Sequence, residues 1–147
     1  NGFGYGSTAE EVTAGLSLSG RTILVTGCNS CLGLETMRVL ALRGAHVIGT
    51  ARTAAKATEA GATVTGQTTG LACELSDPAS GRGCVAAVKA MGVKLDAIVA
   101  NAGVMALPEL TLAHGYEMQF FTNHVGHFML VTAVITCAVV GLFPEAR

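Results

Sequence analysis

Three groups of residues in this 147-residue chain have types and spacing that could do chemistry. Cys28-Asn29-Ser30-Cys31 is a C-x-x-C, the spacing of a dithiol pair that cycles with a disulfide. The same residues lie inside Thr26-Gly27-Cys28-Asn29-Ser30-Cys31-Leu32-Gly33, where glycines flank a turn between an apolar run and a helical pattern. Such a turn presents backbone N–H groups at the positive end of a helix dipole, which suits a phosphate. The spacing Gly-x-x-x-Gly-x-Gly would call for glycine at 31, and cysteine stands there. His124 and His127 could ligate a metal from one helix, but no carboxylate joins them at helical spacing, so they read as satisfied structural histidines. Two cysteines without an adjoining histidine make a poor zinc site, so no metal is expected. The glycine turn is the stronger reading of residues 26–33, and the thiol pair is kept as an alternative.

The elements around these groups alternate. Thr22–Thr26 is a short β-branched run that reads as a buried strand, and Leu32–Arg43 follows as a helix facing inward at Gly33, Met37, Leu40 and Ala41. Gly44 stands where a helix C-cap takes a left-handed residue. His46–Ala51 is a second strand, and strand–helix–strand with a short return implies a parallel βαβ unit. Ala54–Ala60 reads as a short helix, Gly61–Gly70 as a loop with weak β character at Ala62–Thr65, and Gly70–Leu75 as strand 3. Ser76, Asp77 and Pro78 start a helix whose inner face carries Cys84, Val85, Val88 and Met91. Leu95–Ala100 is strand 4. After a proline-containing loop, Met118, Phe121, Val125, Phe128, Thr132, Ile135 and Val139 keep helical spacing. Four strands alternating with helices define an α/β chain with a parallel sheet. Residues 1–20, rich in Gly, Ser and Thr, read as a surface arm, and residues 21–147 as one domain.

Composition narrows the class. Half of the residues are hydrophobic, 13% are charged and the formal net charge is −1, which offers nothing to nucleic acid or an anionic membrane. The uncharged run from Phe128 to Phe143 is shorter than the ~20 residues a membrane span needs, so a buried helix is expected. Five cysteines with no secretory leader ahead of them point to a reducing compartment, the cytoplasm. The chain starts at Asn1 rather than Met, as a processed or partial chain would.

Several motifs now line up in one order. Thr26-Gly27-x-x-x-Cys31-x-Gly33 is followed by Arg52, by Glu74-Leu75-Ser76-Asp77, by Asn101-Ala102-Gly103-Val104, and by Thr122-Asn123-His124-Val125-Gly126-His127-Phe128. Together they resemble the short-chain dehydrogenase/reductase family, in its retinol-dehydrogenase-like and protochlorophyllide-reductase-like branch, over about Leu18 to Thr132. The resemblance implies that Gly27 permits the turn, that backbone at Asn29, Ser30, Cys31 and Leu32 approaches a pyrophosphate, and that Gly33 packs the helix close to the sheet. It places Arg52 at the adenosine ribose, where a cation favours NADP(H) over NAD(H). Glu74 and Leu75 would border the adenine, with Glu74 standing where the family often has aspartate. Asn101, Ala102 and Gly103 would lie at the ligand-binding end of a central strand. Asn123 matches the asparagine that helps hold a proton-relay water.

The family's chemistry also uses a serine and a Tyr-x-x-x-Lys pair. This chain has only Tyr5 and Tyr116, and neither has lysine four residues later. The resemblance therefore implies an α/β, Rossmann-like doubly wound parallel sheet truncated after about four strands. Residues 21–147 would be an incomplete dinucleotide-binding domain, a cofactor-binding half with only Asn123 of the catalytic set. The substrate would be a small, lipophilic carbonyl or alcohol. Strand 4 would become an open hydrophobic edge and invite self-association. A non-catalytic nucleotide-binding or interaction module is the alternative from another class.

Overall fold

The run Thr22–Thr26 is buried at every residue and forms β1, the strand on which the sheet is built. The computed structural model describes residues 2–142, and side-chain surroundings through 136. From β1 the chain enters α2 (Cys31–Leu42), returns as β2 (His46–Ala51), and continues through α3 (Ala54–Ala62), β3 (Gln67–Ala72) and α4 (Pro78–Ala90) to β4 (Ala97–Val99). A short helix α1 (Ala9–Val12) precedes them. All strand pairs of this sheet are parallel and the order is β3-β2-β1-β4. Successive crossovers thus run outward from β1 on one side and then jump to its other side.

Alternation along the strands divides the core in two. Ile23, Val25 and Val47 pack with Met37, Ala41 and Ala57 of α2 and α3. Leu24 and Ile48 point the other way, to Cys84 and Val88 of α4 and to Leu130 and Val134 of the last helix. Helices therefore cover both faces, which is the doubly wound arrangement expected. Gly44 has φ +95° just after α2, as a helix terminator should. Asp77 caps α4 by accepting from the Ala79 N–H at 2.9 Å, with Pro78 in the first turn.

The arm is not featureless. Thr8 and Glu11 make a reciprocal capping box around α1. Glu10 pairs with Arg38 at 3.0 Å, and the Arg43 guanidinium donates to Thr13 at 3.0 Å, so α1 rests on α2.

Four details differ from expectation. β3 is Gln67–Ala72 rather than Gly70–Leu75, because α3 extends to Ala62 and Ala62–Thr65 becomes its end and a turn instead of β structure. β4 is three residues long rather than six. A small hairpin, β5 (Leu112–Ala113) and β6 (Tyr116–Glu117), occupies the loop after β4. Its turn residues His114 and Gly115 both have positive φ, as a two-residue turn of the primed type needs.

The fourth difference is the last helix. It begins as α5 (Met118–Phe120), passes through a π-helical segment at Phe121–Gly126, and resumes as α6 (His127–Leu142). Beyond the π segment the inward residues are His127, Leu130 and Val134. Phe128 and Ile135, expected inside, are 63% and 51% exposed, and Thr132 is exposed too. Wider turns shift the buried face by one residue, which constant 3.6-residue spacing could not register. The side chain of Val139 lies outside the described residues.

Candidate functional site

The carboxyl ends of β1 and β4 meet at the point where the strand order jumps. Open α/β sheets leave a crevice at such a switch point. Gly27 turns there with φ +67°, and a Cβ on it would stand 2.8 Å from the Ala102 Cα. Gly33, in the first turn of α2, is as tightly held: a Cβ would collide with the Gly27 carbonyl and stand 2.6 Å from Asn101 Nδ2. The turn, the helix start and the β4 loop therefore touch backbone to backbone.

Hydrogen bonds lock this junction. The buried Thr26 hydroxyl accepts from the N–H groups of Asn101 and Ala102, both at 3.0 Å. Asn101 returns a bond from its side-chain amide to the Thr26 carbonyl at 2.9 Å. Farther along the loop, Asn123 grips Val104 with both ends of its amide. Its Oδ1 accepts from the Val104 N–H, and its Nδ2 donates to the Val104 carbonyl, each at 2.8 Å. Gly103 lies between, where a Cβ would come 3.3 Å from Asn123 Oδ1.

The start of α2 is open. Ser30 stands at the N-cap without a side-chain capping bond, and Asn29, Ser30, Cys31 and Leu32 are exposed. Helix N–H groups left uncapped and exposed are what an anionic ligand needs. Cys31 holds φ +47°, the left-handed region that glycine fills without strain. On the next strand, the Cys28 N–H donates to the Thr50 carbonyl at 2.9 Å, tying the turn to the end of β2. Arg52 follows there, exposed, and makes no ion pair or hydrogen bond among the described residues. Among the described residues it is an unpaired cation at the end of β2, the strand beside β1 in the sheet.

Other expected residues are less available. Glu74 Oε1 accepts from the Ser76 hydroxyl at 2.8 Å and the Ser76 N–H at 3.2 Å. Leu75 is 5% exposed and belongs to the core beneath α4 and α6. No hydrogen bond joins either side chain to the glycine turn. A groove of about 310 Å³ between α4 and α6 shares only Leu75 with the expected set.

The alternative chemistries fare poorly on geometry. Cys28 is fully buried, and burial pushes its thiol pKa up, whereas a reactive dithiol needs one lowered. Cys31 faces solvent instead. His124 stacks on Phe120 at 5.2 Å, while both ring nitrogens of the buried His127 are engaged by Asn123 and Thr26. The two histidines do not converge on a common point. Thr26 and His127 are not among the expected site residues, yet both are bonded into this junction. The signals available were a polar residue closing a buried strand and a histidine four places after Asn123.

A parallel, doubly wound sheet with a glycine turn and an open helix start at its switch point is a Rossmann-like α/β fold. Comparison with known proteins narrows this. A model of short chain dehydrogenases matches residues 21–141, and the chain belongs to that family. It is 37% identical to the chloroplastic short-chain dehydrogenase TIC 32 B of Brassica napus over 140 residues, covering 92% of this chain and 44% of the relative. It is 33% identical to human retinol dehydrogenase 13, covering 81% of this chain and 38% of that one. Among solved structures, a metagenomic short-chain oxidoreductase in complex with NADP superposes with TM-score 0.67 at 26% identity, over 84% of this chain and 59% of the other. The chain thus spans less than half the length of the curated relatives it matches.

Proposed function

We propose that the chain is the cofactor-binding part of an NADP(H)-dependent oxidoreductase. The nicotinamide, when bound, supplies the hydride acceptor or donor for an alcohol or carbonyl. In this reading the N–H groups at Asn29 to Leu32 receive the pyrophosphate, Arg52 receives the 2′-phosphate, and Glu74 and Leu75 border the adenine. Asn101, Ala102 and Gly103 floor the nicotinamide end, beside Asn123.

The observation that carries the reading is the unpartnered Arg52 at the end of β2, one strand from the open start of α2. A guanidinium pairs well with a phosphate, and an NADP complex among the solved relatives fits this preference. Titration with NADPH and NADH, followed by nucleotide fluorescence, tests it. Tighter binding of NADPH is expected, and equal affinity overturns the assignment.

The residues of this chain lack the Tyr-x-x-x-Lys pair, so we expect binding without turnover. The substrate class is a small lipophilic carbonyl or alcohol, in keeping with the retinol in one relative's name. No described helix is long and apolar enough to cross a membrane. A reducing compartment, the cytoplasm, suits the free cysteines; one relative is named chloroplastic, and the chloroplast is the alternative.

A non-catalytic interaction module is the second reading. It draws on β4, which pairs only with β1 among the described residues and leaves one edge open. Self-association with no preference for NADPH over NADH would favour it.

A further inference from the structure

We propose that His127, which the nucleotide reading leaves without a role, is a positioning residue that closes a ring of hydrogen bonds around the β4 loop. The proposal rests on the site being a dinucleotide cleft only for its functional meaning. The ring itself is a matter of proton accounting.

Thr26 Oγ1 has two lone pairs and one proton. The N–H groups of Asn101 and Ala102 occupy the lone pairs, each at 3.0 Å. The proton must then be donated, and His127 Nε2 at 2.8 Å is a far better acceptor than the Val99 carbonyl at 3.5 Å. Nε2 is therefore the bare nitrogen. The ring proton sits on Nδ1, which lies 2.9 Å from the Asn123 carbonyl and donates to it. The reverse tautomer would set an Nδ1 lone pair against a carbonyl oxygen. An imidazolium would need a third lone pair on Thr26. Only the neutral Nδ1–H form satisfies every atom, and at a site this buried an unsatisfied atom is costly.

Followed round, the bonds make a circuit. Thr26 holds Asn101 and Ala102, the loop runs on to Val104, Asn123 holds Val104, and His127 joins Asn123 back to Thr26. The loop is gripped at both ends, and His127 makes those grips one unit by tying β1 to the π-helical segment. Gly103, between the grips, is thereby fixed against the cleft. His127 touches no ligand in this arrangement. It acts through Thr26 and Asn123.

Two measurements test this on the full chain. Nitrogen-15 NMR of the histidine rings at neutral pH should show His127 protonated on Nδ1 and bare on Nε2. An Nε2–H or doubly protonated ring overturns the proposal, whether or not nucleotide binds. A double-mutant cycle of Thr26→Val and His127→Phe then reads NADPH affinity and amide exchange at Val104. Each single change should weaken binding about tenfold and speed exchange, with the double change little worse than either. Strictly additive losses overturn the coupling. If the wild-type chain binds no nucleotide, the cleft reading fails, while the tautomer and the exchange cycle still judge the ring. His127→Asn, which keeps a donor near the Nδ1 position, and His127→Gln, which keeps an acceptor near Nε2, should each rescue part of the exchange protection, and equal loss in both and in His127→Phe overturns the proposal.

Discussion

Cys31 carries a side chain at φ +47°, where the backbone oxygen and Cβ crowd each other and glycine would not. It also stands exposed in the first turn of α2, among the N–H groups proposed to meet a pyrophosphate. Cys31→Gly should therefore act twice. It should stabilise the fold by about 0.5–1 kcal/mol, partly offset by the freer unfolded chain, as read from urea unfolding. It should also tighten NADPH binding, because the side chain no longer stands over the phosphate. No gain in affinity would mean that the turn has already accommodated the cysteine or binds no nucleotide. Arg52→Gln tests the other end of the cofactor: NADPH affinity should fall about tenfold or more while NADH affinity holds. Gly27 and Gly33 carry the glycine spacing seen in the sequence because backbone contact leaves no room there for a Cβ, and Asn101 holds the junction by its side-chain amide. His127 is legible in the sequence as a satisfied structural histidine but its partner is not, since Thr26 is distant in sequence and nothing local announces the bond.

The elements were read well where one face is plainly apolar. β1 and β2 match residue for residue, because both are flanked by neighbours and buried on both faces. β3 was misplaced because Gln67, Thr68 and Thr69 at the edge of the sheet carry no apolar run. The π-helical segment left no mark in hydrophobic spacing, yet one glycine inside it is diagnostic. A Cβ on Gly126 would drive into the Leu75 carbonyl and stand 2.9 Å from the Leu75 Cβ. Gly126→Ala should cost about 1–3 kcal/mol by overpacking, measured as a lower urea midpoint, with Gly81→Ala as a control where a Cβ meets open space. At the other end of the sheet, Asp96 accepts from the Thr22 N–H at 2.9 Å and pairs with Arg21 at 2.8 Å. These contacts hold its carboxyl below the usual range, the Thr22 N–H contributing most and Arg21 next. The folded pKa lies below the unfolded value of about 3.9, so this clamp adds stability above that pH and loses it as pH falls through the folded value. Thermal melts between pH 6 and 2.5 should show this loss, and Asp96→Asn should flatten that part of the curve. An unchanged profile would remove Asp96 from the account.

For the molecule as a whole, the open side of β4 matters most. Ile98 and Val99 are only half-buried, and β1 is their one neighbouring strand among the described residues. Unpaired N–H and carbonyl groups beside apolar side chains are a template for another strand. Sedimentation should show species heavier than a monomer, growing with concentration. A clean monomer with a sharp cooperative melt would count against this.

The same strand decides when the cleft can exist. Thr22 sits opposite His46, but Ile23 sits opposite Ala97, roughly three times as far along the chain, and the longer closure adds about 1 kcal/mol of entropy. β1, α2 and β2 can therefore pair early, with β3 following on contacts of similar range. β4 has only three residues with which to offset the longer closure, so it docks after the first three strands. In the proposed reading, the phosphate side of the cleft is built from the early part and the nicotinamide side from the late part. A nascent chain would thus meet nucleotide with half a binding site, and ligand present during refolding should speed the final docking step rather than the first collapse.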